Sequence, residues 1–235
     1  MKSPLDVYSL KARLFPAFIV LLPAVLAILA WLPEASLAST STLGVGLAAA
    51  LSFFISELVR DCGHRKQARL WETWGGPPTT QLLRWSNLHV NPNLRAKWRA
   101  AIEELTNCRL PSAASESRNP FKADQAYEAA IAELRMKRRG TESSSLFFKE
   151  NASYGFRRNL WGMKPAGIFI SSVSLIGGVV VCVLKSNNRF DHAPSILAIF
   201  VTATLLALWI VRINPQWVRE KADSYGEQLL GSLLQ

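Results

Sequence analysis

LFPAFIVLLPAVLAILAWL, Leu14 to Leu32, runs for nineteen residues without a charge. As an α-helix rising 1.5 Å per residue it would reach about 28 Å, close to the ~30 Å hydrocarbon thickness of a bilayer. Pro16 suits a first helical turn, where its missing N–H costs nothing. Pro23 predicts a kink of the kind that bilayer helices tolerate when neighbours satisfy the freed carbonyl. Trp31 stands where the far membrane interface would be. Read this way, the stretch fixes the class of the chain.

Working outward, the same composition returns in Leu43–Val59, in Pro165–Leu184 between Lys164 and Lys185, and in Ala193–Val211 ahead of Arg212. Apolar blocks gathered near both ends are a membrane pattern. The expected fold is an all-α integral membrane protein, with two transmembrane hairpins flanking a small helical cytosolic domain. Its parts are a cytosolic N-terminus at 1–13, hairpin one at 14–59 and a basic domain at 60–164. Hairpin two at 165–212 and an amphipathic C-terminal helix at 213–235 complete it. A rival reading takes Ser36-Leu37-Ala38 as the cleavage site of a secretory signal. The run from Leu14 exceeds the usual signal length and a second apolar block follows closely, so a retained span is favoured.

Arg60–Lys164 holds 19 Lys+Arg against 10 Asp+Glu, nine of the chain's formal net charge of +10. Glu34 is the lone charge between the first two blocks, whereas Arg60, Arg65, Lys66 and Arg69 follow the second. The positive-inside rule therefore places the central segment and both termini in the cytoplasm, with the Lys185–His192 loop outside. In a bacterium this is a multi-pass inner-membrane protein. Cys62, Cys108 and Cys182 are too scattered for a disulfide framework.

Small residues predict where spans meet. Gly46-x-x-x-Ala50 and Ser174-x-x-x-Gly178 permit close backbone approach, between helices or between subunits of a homo-oligomer. Glu57 reads either as a carboxylate lining an ion path or as an interfacial acid beside Arg60, the second being favoured.

The central segment predicts helices. Trp74-Gly75-Gly76-Pro77-Pro78 is a turn, after which Thr79 or Thr80 would cap a helix over Gln81–Trp85. Asn93 would cap another, with Leu94, Trp98, Ala101, Ile102 and Leu105 on its apolar face. Pro111–Arg118 reads as a Ser/Ala loop. Asn119-Pro120 opens a third helix with Ala123, Tyr127, Ala130, Ile131 and Leu134 buried. Aromatics and arginines then mix before the third span, and Arg138, Arg139, Arg157, Arg158 and Trp161 are expected at the lipid interface. In the C-terminal helix, Val218, Ala222, Tyr225, Leu229 and Leu233 share a face that would pack on the central segment or on another subunit.

Two stretches, Leu70–Thr80 (LWETWGGPPTT) with Arg84, and Glu150–Gly162 (ENASYGFRRNLWG) with Lys164-Pro165, together resemble a group of uncharacterised bacterial four-span membrane proteins. The topology is also similar to four-helix membrane effectors of nucleotide-signalling antiphage systems. That likeness implies an oligomer that responds in the membrane to a cytosolic signal.

The residues themselves admit several chemistries. Gly75, Gly76, Thr79, Thr80 and Arg84 could hold a phosphate by backbone N–H groups, hydroxyls and a guanidinium. No lysine follows the glycines, so it is not a Walker loop, and an interhelix turn is the simpler reading. Cys62, His64, His89 and Cys108 are zinc-compatible residue types, but only the first two are close-spaced, and no metal is assigned. No catalytic set or cofactor motif stands out. The basic clusters fit anionic lipid head groups better than nucleic acid, since Trp71, Trp74, Trp85 and Trp98 belong to no nucleic-acid module. The favoured function is a non-enzymatic sensor or effector taking a cytosolic protein partner or a nucleotide ligand. The alternatives are a small transporter or channel subunit, or a membrane enzyme built around Thr79–Arg84.

Overall fold

The computed structural model describes Tyr8 and residues 10–31, 42–138, 146–184 and 193–234, with the backbone alone for 42–49. Among the described residues every regular element is a helix. A π-helical turn, Leu10–Leu14, leads into α1 (Phe15–Trp31). There follow α2 (Thr42–Trp74), α3 (Pro78–Leu83), α4 (Pro92–Thr106), α5 (Ala113–Arg118) and α6 (Pro120–Lys137). The last are α7 (Leu146–Leu184), α8 (Ala193–Val211) and α9 (Pro215–Gly231).

Among the described residues three helices are long and apolar enough to cross a membrane: Leu10–Trp31, Leu146–Leu184 and Ala193–Val211. The expected second span opens α2, and the side chains of its residues 42–49, Gly46 among them, lie outside the described residues. Ala50, its expected packing partner, is exposed.

The chain divides into two compact units, one of Met1–Lys66 with Gly155–Val218, the other of Gln67–Tyr154 with Arg219–Gln235. In the first, α1 packs along α8. Val20, Leu160, Trp209 and Ile213 form its buried cluster, with Ile19, Phe156 and Trp161 against them. Glycine sets the helix spacing. A Cβ at Gly162 would stand 2.7 Å from the backbone N of Gly63, so here α2 and α7 cross backbone to backbone. Gly167 lies under the Trp209 ring, and a Cβ at Gly178 would meet Ile199 at 2.8 Å. The last contact, with Ser174 buried on the same face, places the Ser174/Gly178 pair at a helix interface. Outward, Phe18, Phe53, Phe54, Phe169, Leu197 and Phe200 are exposed, the apolar surface that a bilayer would solvate.

The second unit has its own core, built from Leu83, Val90, Trp98, Ile102, Leu110, Ala123, Tyr127, Ala130, Ile131, Leu134, Leu229 and Leu230. The expected face of α6 is buried residue for residue. Leu229 and Leu230 put α9 on the central segment of the same chain, the first of the two expected alternatives. Caps follow the local chemistry with shifts in register. Asn119 caps α6 as expected, accepting from Lys122 N at 3.0 Å with Pro120 at N1. Asn91, rather than Asn93, caps α4, because Pro92 then takes N1, where no N–H is needed. The stretch expected as a loop at 111–118 contains α5, capped by Ser112. The α4 face is also turned by one residue. Arg95 and Arg99 are buried beside Trp98 and Ile102, while Leu94 is exposed.

Candidate functional site

The turn after α2 forms because Gly75 and Gly76 adopt φ of +81° and +121°, which suit residues without a Cβ. Their N–H groups close the helix end, Gly75 N donating to Glu72 O at 3.2 Å and Gly76 N to Trp71 O at 2.7 Å. Gln81 Nε2 donates to Trp74 O at 2.9 Å and to Gly76 O at 2.6 Å, bracing the turn from the next helix. α3 starts at Pro78 with no side-chain cap, correcting the expectation of a threonine cap and a helix over Gln81–Trp85. Pro78 at N1 pre-sets φ and begins the helix three residues early. Thr79 and Thr80 are then turned into the protein, 3% and 0% exposed.

Arg84 is committed elsewhere. Its Nε and Nη2 donate to the two carboxylate oxygens of Asp124 at 2.8 and 2.7 Å, a bidentate fork. The hydrogen bond it donates to Asp124 raises the guanidinium's pKa further. An open phosphate cradle made of Gly75, Gly76, Thr79, Thr80 and Arg84 therefore does not form. The N–H groups cap a helix, the hydroxyls are buried, and the guanidinium has a carboxylate. The fork itself is testable. Arg84→Ala and Asp124→Ala should each cost about 1 kcal/mol, and the double variant about as much as either single. Additive losses in chemical unfolding would show that the two side chains do not act together.

Beside this turn lies a polar cleft of about 540 Å³, lined by Gln81, Arg84, Asn87, His89, Arg219, Asp223 and Glu227 among others. Its walls carry both charge signs. Arg219 Nε stands 3.6 Å from Asp223 Oδ2. Burial raises the Asp223 pKa above the ordinary carboxylate value, and the nearby Arg219 opposes that shift. A concave volume of this size is in the range of small-molecule sites.

Behind the cleft runs a buried network invisible in the sequence. Arg99 Nη1 donates to Leu83 O at 2.7 Å and to Tyr127 Oη at 3.1 Å, and its Nη2 donates to Pro111 O. The guanidinium lies 4.5 Å from the Trp85 ring centre, and Arg95 stacks on the same ring at 5.2 Å. Glu116 accepts from Trp85 N, Ser86 N and Tyr127 Oη at 2.8, 2.9 and 2.7 Å. Burial pushes the Glu116 pKa up, but these donors outweigh it and hold the carboxyl below its ordinary value. Burial, then the bond to Glu116, pushes Tyr127 up to about 12.

The chain matches no protein-family model, no curated protein and no solved structure.

The first unit holds the other expected interface residues. Arg157 Nη1 donates to Trp217 O at 2.6 Å, and Lys66 lies over the Trp161 ring at 5.6 Å. Arg158 is not an interface cation. It is 5% exposed, its Nη2 donating to Asn159 Oδ1 at 3.1 Å and lying 3.4 Å from His64 Nε2. Burial, then the charges of Arg158 and Arg60, lower the His64 pKa, so the neutral ring can accept from Arg158. Asn159 Nδ2 in turn donates to Ala12 O at 2.7 Å. In the second unit Arg138 is half-buried, with Nη2 bonded to Ser232 O at 2.7 Å, and Arg139 lies outside the described residues. Glu57 is paired with Arg13 at 3.1 Å and with Arg60 at 3.0 Å, so Arg60 stands beside it as the sequence predicts. Among the described residues no group of three or more His, Cys, Asp or Glu side chains gathers as a metal site.

Proposed function

We propose that this is a four-span bacterial inner-membrane sensor or effector, non-enzymatic, with both termini and the basic helical unit in the cytosol. The observation that carries it is the division of labour within one chain. One unit contains residues of all three apolar, span-length helices. The other has a separate core and a polar cleft. Helices α2, α7 and α9 each contribute residues to both units, so a signal received in the cleft has continuous helical backbone to travel along. The cleft, rather than the Gly75–Arg84 turn, is where a small cytosolic ligand would be received, with a cytosolic protein as the alternative trigger. The response would be a rearrangement of an oligomeric membrane assembly, including pore opening of the kind used in antiphage defence.

The pairing of Glu57 with Arg13 and Arg60 supports this reading over a transport path built on that carboxylate. Reporter fusions test the topology: after Trp74 and after Gln235 they should read cytoplasmic, and after Asn188 external. A periplasmic signal at Trp74 sinks the assignment. Overproduction should depolarise cells, and Gly178→Leu should relieve the effect by forcing apart the contact with Ile199. An unchanged membrane potential on overproduction, with a nucleotide panel showing no heat of binding to the detergent-solubilised chain, would remove the effector reading.

A further inference from the structure

Two stripes of residues face each other inside the first unit. On α7, Gly167, Ser171, Ser174 and Gly178 recur at helical spacing and so lie on one side of the helix. On α8 the buried residues Ser195, Ala198, Thr202 and Trp209 do the same. The stripes meet at both ends, Gly167 under the Trp209 ring and Gly178 against Ile199, where an added Cβ would stand 2.8 Å away. Ser171 and Ser174 lie between these two contacts. Trp31, from the end of α1, closes the same line, 3.5 Å from the Cβ position of Gly178. From Trp209 to Ser195 the seam runs about 21 Å at 1.5 Å per residue, most of the ~30 Å hydrocarbon thickness. The outward sides of the same two helices carry Phe169, Val173 and Phe200, exposed and apolar.

Close packing accounts for the small residues of the seam but not for its polar groups. Ser171 and Ser195 are 0% exposed, and among the described residues neither hydroxyl has a hydrogen-bond partner. The indole N–H groups of Trp31 and Trp209 are likewise buried and unpaired. A serine or threonine within a helix can donate to the carbonyl one turn back, as the exposed Thr204 does to Phe200 O at 2.9 Å. Ser171, in mid-helix, does not take that route. Unmet polar groups are costly in hydrocarbon, and a second subunit cannot reach side chains this deeply enclosed. Water can satisfy them, because one molecule both donates and accepts and so bridges several such groups. We propose that the α7–α8 seam is an internal water site, and that its file of water is the path along which the membrane unit conducts. Both parts rest on the membrane reading given above, and the second also on the pore-opening response. The path then runs inside each subunit, between hydroxyls and indole N–H groups, rather than through a hole between subunits.

The test is pulsed X-ray radiolysis of the full chain in nanodiscs of phosphatidylcholine and phosphatidylglycerol. Hydroxyl radicals form wherever water stands, and mass spectrometry reads them as oxidised side chains. Ile199 on the seam and Ile176 on the outward side of α7 have the same intrinsic reactivity. Ile199 should be oxidised about fivefold more. It is nevertheless the more enclosed of the two, Ile176 being 65% exposed. Ser171→Ala with Ser195→Ala removes the unpaired hydroxyls without adding bulk, and should bring Ile199 down to the level of Ile176. Thr204→Val, on the exposed side of α8, should change nothing. A melting curve in the same nanodiscs shows that each variant is folded; should the double variant unfold, the two isoleucines of the wild type decide alone. Equal oxidation of Ile199 and Ile176 in the wild type overturns the water site, as does unchanged Ile199 oxidation in the folded double variant. On overproduction, the double variant should depolarise cells at least about threefold less than wild type, since a path stripped of its hydroxyls dewets. Depolarisation equal to wild type at equal expression overturns the conducting path. If the wild type itself leaves the membrane potential unchanged, the pore-opening reading and the path are both overturned, while radiolysis still decides the water site.

Discussion

Gly162→Ala is expected to disrupt the first unit, and Gly162→Leu to prevent it from forming. A Cβ at this position would stand 2.7 Å from Gly63 N, 2.8 Å from Gly63 Cα and 2.9 Å from the carbonyl carbon of Cys62. All three obstacles are backbone, so no side-chain rotation can make room. α2 and α7 would have to separate along the whole crossing. Overpacking usually costs about 1–3 kcal/mol, and an obstacle of this kind belongs at or above the upper end. Separation would also lengthen the bond from Lys66 Nζ to Gly162 O, now 2.8 Å. Gly63→Ala should behave alike, since its Cβ would fall 2.1 Å from Asn159 Oδ1 and 3.0 Å from Asn159 Cα. Gly231→Ala is the control, with nothing within 4 Å of the added carbon. It should be neutral or gain up to about 1 kcal/mol from lost chain entropy. Thermal unfolding in detergent reads all four variants. A Gly162→Ala melting temperature equal to that of wild type would mean that the two helices do not cross here.

That crossing shows where a sequence stops being legible. The apolar blocks at 14–32, 165–184 and 193–211 announce themselves, because length and composition alone distinguish a span. The buried face of α6 is equally plain, since apolar residues recur along it at helical spacing and Asn119-Pro120 marks its start. Gly63 and Gly162 carry no comparable signal. Each sits in an ordinary local context, and only the other helix makes the missing side chain matter. The Gly-x-x-x-Ala and Ser-x-x-x-Gly patterns draw attention instead; Gly178 does meet Ile199, whereas Ala50 is exposed, because an interface needs a partner surface as well as small residues. The phosphate cradle, the less simple of the two readings of Gly75–Arg84, loses its guanidinium for a related reason. Gly75, Gly76, Thr79, Thr80 and Arg84 have the right chemistry in the right order, but Asp124, forty residues on, claims the guanidinium. A pairing at that separation is decided by how α3 and α6 pack, which periodicity does not report. Arg95 and Arg99 were missed because hydrophobic periodicity scores an arginine as surface. They are buried because backbone carbonyls and an aromatic ring receive them.

Arg99→Met is expected to cost the second unit about 3 kcal/mol or more, because Leu83 O, Pro111 O and Tyr127 Oη all lose a donor and each unsatisfied buried polar group costs about 1–3 kcal/mol. Methionine matches the aliphatic stem but donates nothing. Leu83 O would lose its 2.7 Å donor inside the core, and an unsatisfied buried carbonyl costs about 1–3 kcal/mol. Tyr127 Oη would lose the 3.1 Å bond, and the Trp85 ring its closest cation. Arg99→Lys should recover part of the loss, since one ammonium cannot reach Leu83 O, Pro111 O and Tyr127 Oη in the planar arrangement of a guanidinium. Glu116→Gln tests the far end of the network, placing an amide where Trp85 N, Ser86 N and Tyr127 Oη all donate. One of its two heteroatoms would then face a donor with a donor. The pH dependence has a definite sign at each end. Glu116 is depressed in the folded chain, so its contribution is present above the ordinary 4.5 and lost as the pH falls through its lowered value. Tyr127 is raised, so its contribution is complete below the ordinary 10 and lost as the pH climbs toward about 12. In Glu116→Gln the acid limb of the stability profile should flatten. In Tyr127→Phe the alkaline limb should flatten, since no phenol remains to ionise. Chemical unfolding across pH measures both, and acid and alkaline limbs unchanged in both variants would show that Arg99, Tyr127 and Glu116 do not form the connected network that holds Trp85 and the wall behind the cleft.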